Sequence, residues 1–205
     1  MYSSLNQYSS LQQRHFIKIS RIFSILITVF FLFAATTAWR TNPVPFDEKI
    51  DSYFTTRLSS VRASLLLLKK IAVEKTALTG LKKQFRAARL AYKKMAVLTE
   101  YFNPYQTKQL NGPAIPRIES EVADIIIPPQ GFQAIEQLLF ADWDISTGHK
   151  QLADLADEMI RTLTAIEKEP DRRNKFKKEL VFDAMRATVV SITTTGITGF
   201  DSPIA

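Results

Sequence analysis

The segment from residue 78 to residue 102 decides the fold class and reads LTGLKKQFRAARLAYKKMAVLTEYF. Its mostly apolar positions alternate steps of three and four residues: Leu78, Leu81, Phe85, Ala88, Tyr92, Met95, Thr99 and Phe102. This spacing places them on one face of a helix that turns once in about 3.6 residues. The segment therefore predicts a long amphipathic α-helix that ends before Asn103-Pro104.

Four further segments have helical spacing. The first carries its stripe at Phe46, Ile50, Tyr53, Leu58, Val61, Leu65, Leu68 and Ala72. Two others span residues 130–141 and 145–168. The last spans residues 171–195 and has its stripe at Phe176, Leu180, Ala184, Met185, Val189 and Ile192. Because no stretch sustains the period of two that strands show, the sequence predicts an all-α bundle of about five helices without a sheet.

Two stretches lack this periodicity. Residues 103–129 contain five prolines and Asn111-Gly112, which predicts a long loop with at most one helical turn near residues 106–110. Residues 197–205 follow Gly196 and contain Gly199 and Pro203, so we expect a linker there.

An uncharged apolar run occupies residues 22–39 and reads IFSILITVFFLFAATTAW. Its length fits the span of about 17–25 residues that crosses a bilayer. The basic residues ahead of it predict a cytoplasmic N-terminus and an exported remainder. The run is either a retained anchor or a signal peptide cleaved near Ala38. The expected division is residues 1–21 as a cytoplasmic basic segment, 22–39 as anchor or signal, 41–196 as the helical domain and 197–205 as the linker.

Composition excludes several classes of function. The chain of 205 residues has no Cys and only two His, His15 and His149, which excludes disulfide scaffolds, thiolate metal sites, attachment of c-type haem and multi-histidine metal sites. The formal net charge is +7, but the first forty residues supply four positive charges and no acid, which leaves +3 for the rest. The basic balance is therefore largely a targeting feature, and it gives little support to nucleic-acid binding. His149 is isolated in the sequence, and we expect it to be an ordinary surface residue.

The residues from Gly131 to Glu136 carry the strongest chemical signal. Gln133 and Glu136 are three residues apart on a predicted helix, the spacing by which a His-x-x-Glu pair offers ligands to a metal in helical bundles. The alternative is that both are polar groups satisfied by a neighbouring helix. If residues 78–102 pack against this helix, Arg86 or Arg89 is a candidate ion-pair partner for Glu136.

The helix of residues 78–102 also carries six positive charges within thirteen residues: Lys82, Lys83, Arg86, Arg89, Lys93 and Lys94. They lie away from the apolar stripe. This pattern fits a solvated helix face, and it also fits docking to an acidic partner or to anionic lipid.

A family resemblance rests on these motifs. The block from Gly131 to Phe140 resembles the Gly-x-His-x-x-Glu signature of imelysin-like proteins, helical envelope proteins linked to iron uptake and metal binding in bacteria. The chain is more similar still to the imelysin-like region that precedes the di-haem cytochrome c peroxidase domain in some bacterial proteins. The similar blocks are residues 85–94, 99–104, 110–113, 131–140 and 196–205. This chain departs from the signature at position 133, where Gln replaces His.

The resemblance implies a function without catalysis in this chain. In the longer proteins the haem-attachment motifs lie beyond the position that matches Ala205, so haem c is expected only in a C-terminal domain that this chain lacks. The implied role is an accessory module, as a truncated product or a partner chain, that meets a di-haem peroxidase domain in cis or in trans. It would lie on the periplasmic side of the bacterial envelope, attached to the membrane.

An alternative role is a metal-binding protein of iron acquisition that uses Glu136 and Gln133 to hold iron or another divalent ion. The sequence carries no peptidase motif, because it contains neither a His-Glu-x-x-His pair nor a serine in a nucleophile elbow. We therefore expect no catalytic residue in this chain alone.

Overall fold

A computed structural model of the chain describes residues 24–30, 43–119 and 125–196. The chain divides into two units, Met1–Val44 and Pro45–Ala205. In the first unit, residues 24–30 are helical. Most of the predicted membrane segment, residues 22–39, and the expected linker 197–205 lie outside the described residues. Along the described part of the chain no helix has the length and apolar character needed to cross a bilayer, and the anchor remains a prediction.

The described part of the second unit is predominantly helical, as predicted. Its seven α-helices are α1 (Phe46–Val73), α2 (Leu78–Phe102), α3 (Pro104–Asn111), α4 (Gly131–Phe140), α5 (Gly148–Glu167), α6 (Arg172–Lys175) and α7 (Lys178–Ser191). A π-helical turn, Ile192–Gly196, continues α7.

The core forms where α1 packs between α2 and α5. The side chains that α1 buries recur every three or four residues: Phe54, Leu58, Val61, Leu65, Leu68 and Ala72. Each fully buried Leu or Phe contributes about 1.5–3 kcal/mol. The stripe was predicted to begin at Phe46, but Phe46 and Tyr53 are exposed and the buried residues begin at Phe54. The Tyr53 hydroxyl donates to Lys94 O at 2.6 Å.

The segment between α2 and α4 corrects two predictions. α3 makes about two turns where at most one was expected, because Pro104 at its first position loses no helical hydrogen bond. Strands β1 (Arg117–Glu119) and β2 (Ile125–Ile127) pair antiparallel with Ile118 opposite Ile126. The expectation of no sheet was therefore wrong here. Three-residue strands are too short to show alternation, although consecutive isoleucines favour extended backbone.

The last predicted helix, residues 171–195, is broken in the structure. Asp171 adopts a left-handed conformation with φ 57°, and α6 ends before Phe176. The Phe176 ring is fully buried, with its centroid 5.4 Å from that of Phe54 and 5.2 Å from that of Phe102. Seating this ring between α1 and α2 interrupts the helix, and α7 begins after it.

A tight junction places α4 against the end of α3. Gly131, the first residue of α4, has φ 81°, a conformation that residues with a Cβ rarely adopt. A Cβ at this position would collide with the carbonyl oxygens of Gln109 and Leu110. The backbone contact between α3 and α4 therefore requires glycine at position 131.

We expect Gly131→Ala to lower the free energy of unfolding by about 2 kcal/mol or more, since backbone strain and a backbone clash add. Gly80→Ala is the matched control. A Cβ at Gly80 meets only the movable methyl group of Thr76, and Ala is favoured in helices. Urea denaturation of both variants measures the difference, and equal effects would contradict the strain at Gly131.

Ion pairs fasten the segment around α6 to the rest of the bundle. Arg172 Nε donates to Asp51 Oδ1 at 2.9 Å on α1. Glu169 accepts hydrogen bonds from Lys175 Nζ and from Asn103 Nδ2, the latter at 2.9 Å. Burial raises the pKa of Glu169, but the hydrogen bonds from Lys175 and Asn103 outweigh it and hold the pKa below its ordinary value.

A carboxyl group with a lowered pKa stabilises the fold above its ordinary pKa, and this stability is lost as the pH falls. We expect the melting temperature to decline as the pH drops below 4.5, the ordinary value for Glu169. Glu169→Gln should lower the melting temperature at pH 7 and make the acid decline shallower. The exposed Glu179→Gln on α7 is the control. Parallel acid profiles for the Glu169 variant and the unaltered chain would refute the assignment.

Candidate functional site

The candidate site surrounds Glu136 on α4, a helix buried on most of its sides. Glu136 is only 8% exposed, and among the described residues it is the only buried residue with a charge. A buried carboxylate is costly unless another group pairs with it. The partner of Glu136 therefore decides what this site can do.

Arg89 on α2 supplies that partner. Its Nη1 donates to Glu136 Oε2, and the two side chains are 14% and 11% exposed. The structure thus brings together Glu136 and one of its two candidate partners. A guanidinium and a carboxylate in this desolvated setting form a charge-assisted hydrogen bond, which is stronger than a neutral one.

Arg86, the other candidate, does not pair with Glu136. Its guanidinium carbon lies 5.7 Å from the centroid of the Phe140 ring, and Lys82 Nζ lies 4.6 Å from the same centroid. Both arrangements are cation–π contacts. Arg86 and Lys82 therefore contact the last residue of α4, whereas Arg89 pairs with Glu136 in the middle of that helix.

Aromatic contacts show how α4 lies on α2. The centroid of Tyr92 is 5.1 Å from that of Phe132, and the centroid of Phe85 is 6.1 Å from that of Phe140. Later residues of α2 thus meet earlier residues of α4, so the two helices run in opposite directions. In this register Arg89, between Phe85 and Tyr92, comes opposite Glu136.

Gln133 makes its contact with a different helix. Its Nε2 donates to the backbone oxygen of Asn111 at 3.2 Å. Asn111 is the last residue of α3, where backbone oxygens have no partner within the helix. Gln133 therefore satisfies a backbone oxygen at the end of α3. Gln133 and Glu136, three residues apart on α4, thus contact two different helices.

These residues do not fit a divalent metal. Glu136 faces a guanidinium, which a metal ion would have to displace, and the Gln133 amide is a weak neutral ligand. Within residues 24–30, 43–119 and 125–196, no group of three or more His, Asp or Glu side chains could hold a metal ion. The metal-binding role stays a prediction without support from this donor set.

The residues do not fit haem attachment either. The chain has no cysteine, and His149 is packed into the protein. The His149 ring centroid lies 4.9 Å from that of Trp143, and Nε2 lies 3.2 Å from Thr76 O. His149 is half-buried and joins the start of α5 to the turn before α2, so it is more closely packed than the ordinary surface residue that was expected.

A second feature, which sequence reasoning missed, is an exposed apolar face. We define the α7 stripe as Phe182, Met185, Val189 and Ile192; these side chains are between 49% and 62% exposed. The prediction assigned Met185, Val189 and Ile192 to the core. Of the residues predicted within α7, only Ala184 is buried, and α7 also buries Val181, which was not predicted. The sequence did indicate this face: the helix is apolar on two sides, and each apolar side needs a neighbour to cover it.

In comparisons with family models, curated proteins and solved structures, no match to the chain is found. The similarity to imelysin-like proteins therefore rests on the sequence blocks alone. The fold class and the contacts of Glu136 stand independently of it.

We expect Glu136→Gln to lower the free energy of unfolding by about 2–4 kcal/mol, because it removes the carboxylate charge that faces the largely desolvated guanidinium of Arg89. Gln133→Ala should cost only about 1 kcal/mol, as for one neutral hydrogen bond. The double variant Arg89→Met with Glu136→Leu should be less destabilised than the sum of its single variants, since no charge remains unpaired.

Thermal melts with and without chelator test this assignment. The ion pair predicts that chelator changes none of these melts. Stabilisation by ferrous or zinc ions that disappears in both Glu136→Gln and Gln133→Ala would overturn it in favour of a metal site.

Proposed function

We propose that this chain is an imelysin-like accessory module of a di-haem cytochrome c peroxidase in the bacterial cell envelope, without catalysis of its own. Residues 22–39 would attach it to the membrane, with the helical domain on the periplasmic side. The α7 stripe would be the surface that receives the peroxidase domain. The five similar sequence blocks support the family, and the exposed stripe carries the functional proposal.

The α7 stripe has the properties of a docking surface. Its residues follow one another at steps of three and four along the helix, so they form one continuous apolar strip. The opposite face of α7 packs against α2. Contiguous exposed apolar surface of this kind marks interaction sites in soluble proteins.

The position of the stripe along the chain supports the same partner. α7 and its π-helical turn lead into residues 197–205, and residues 196–205 resemble the start of the connection toward the haem domain. A domain joined there would encounter the stripe at high effective concentration. A separate peroxidase chain would have to supply the same contacts in trans.

The contacts of Glu136 and Gln133 fit a structural role for both side chains. Its carboxylate is engaged by Arg89, and Gln133 closes α3. Neither side chain is poised to accept a proton from a substrate or to hold a redox centre. Peroxide reduction would therefore depend on haem carried by the partner.

Met185→Glu should weaken binding of a di-haem peroxidase domain, prepared from one of the longer proteins, by at least about tenfold, because a charge replaces an apolar contact at the centre of the strip. Isothermal titration calorimetry measures the change. Leu66→Glu on α1 is the matched control, since Leu66 is 49% exposed and Met185 is 51% exposed. Equal binding by the two variants would refute the stripe as the docking surface.

A further inference from the structure

The outward side of α2 forms a second surface that the proposed docking does not use. We define the α2 cationic face as Lys83, Arg86, Leu90, Lys93 and Lys94, all of which are exposed. Leu90, at the centre of this face, is 66% exposed. From Leu78 to Thr99 the sequence contains no Asp or Glu, and Glu100, the single acidic residue of α2, lies beyond the strip near the end of the helix.

Helical geometry gathers these side chains into one strip. Arg86 precedes Leu90 by four residues and Lys94 follows it by four, so each lies one turn away on the same face. The strip from Lys83 to Lys94 is about 16 Å long at 1.5 Å per residue. An apolar side chain thus projects from the middle of a row of cations.

Three of the four cations in this strip form no ion pair with a described residue. Glu136 engages Arg89, which lies at the inner edge of α2. Within the described ranges, none of the ion pairs involves Lys83, Arg86 or Lys94. Their positive charges therefore face outward.

An acidic environment surrounds another exposed apolar residue and gives a contrast. Ile145, in the turn before α5, is 81% exposed and follows Asp142 and Asp144 in the chain. Hydrogen bonds from Ser146, followed by those from Thr147, hold the pKa of Asp144 below its ordinary value despite some desolvation. Cations accompany the exposed Leu90, and anions accompany the exposed Ile145.

We propose that the α2 cationic face binds the surface of an anionic lipid bilayer, with Leu90 entering the headgroup layer. Each Lys or Arg near such a surface strengthens partitioning about fivefold. Burial of an apolar side chain among the headgroups adds to this attraction.

The composition of the strip favours lipid over an acidic protein. Three of its four cations are lysines, which are mobile point charges suited to a fluid layer of headgroups, whereas planar carboxylate recognition favours arginine. The binding depends neither on the peroxidase partner nor on whether residues 22–39 anchor the chain.

The test uses the full chain and its lack of cysteine. Leu90→Cys provides one attachment point for a polarity-sensitive fluorophore, and Ile145→Cys provides the matched control. Each labelled protein is mixed with vesicles of phosphatidylcholine alone or of phosphatidylcholine with phosphatidylglycerol. We expect a blue shift at position 90 only with the anionic vesicles, reversed by high salt. Adding Lys83→Gln and Lys94→Gln should weaken that response about 30-fold.

Several outcomes would overturn the proposal. One is an equal shift at positions 90 and 145, and another is a shift at position 90 that is the same with neutral vesicles. A response to soluble polyglutamate without a response to anionic vesicles would instead assign the face to an acidic protein. Circular dichroism of each labelled variant verifies that the helical fold is retained, so that a missing shift counts against binding.

Discussion

The ion pair between Arg89 and Glu136 is the constraint on which the placement of α4 depends. α4 is apolar on most sides, so hydrophobic burial alone is satisfied by several rotations of this helix against its neighbours. A single buried charge admits only the rotation that meets its counter-charge, because an unpaired buried charge is costly. With Glu136 on Arg89, Phe132 meets Tyr92 and Gln133 reaches the end of α3.

The same pair gives the spacing of Gln133 and Glu136 a structural explanation. In a bundle with a histidine and a carboxylate three residues apart, a divalent ion balances the carboxylate charge. Here the guanidinium of Arg89 balances Glu136, and the amide of Gln133 donates to a backbone oxygen. Both side chains hold the fold together, so the spacing between them has a structural use that requires no ligand.

Sequence periodicity predicted the helices well because burial on one face is a local property of the chain. It recovered α2 at its observed bounds and proposed Arg89 among two candidates for Glu136. It could not choose between Arg86 and Arg89, which differ by less than one turn, because that choice depends on the register between two helices. The break in the helix at Phe176 could not be predicted either, because Phe54 and Phe102, whose rings contact Phe176, are distant from it in sequence. Spacing also does not reveal whether a neighbour covers an apolar face, and so Met185, Val189 and Ile192 were assigned to the core.

One helix, α2, links the two proposed surfaces. α2 packs against α7 and presents its own outward face between Lys83 and Lys94. Near the other end of α2, Phe102 contacts Phe176, which lies two residues before the start of α7. A straight helix holds these two regions at a fixed separation, because its backbone hydrogen bonds resist bending. If both proposals hold, lipid on the α2 cationic face would set the distance and orientation at which the α7 stripe meets its partner. The long, well-packed α2 would then be the element that converts membrane attachment into a defined position for the haem domain.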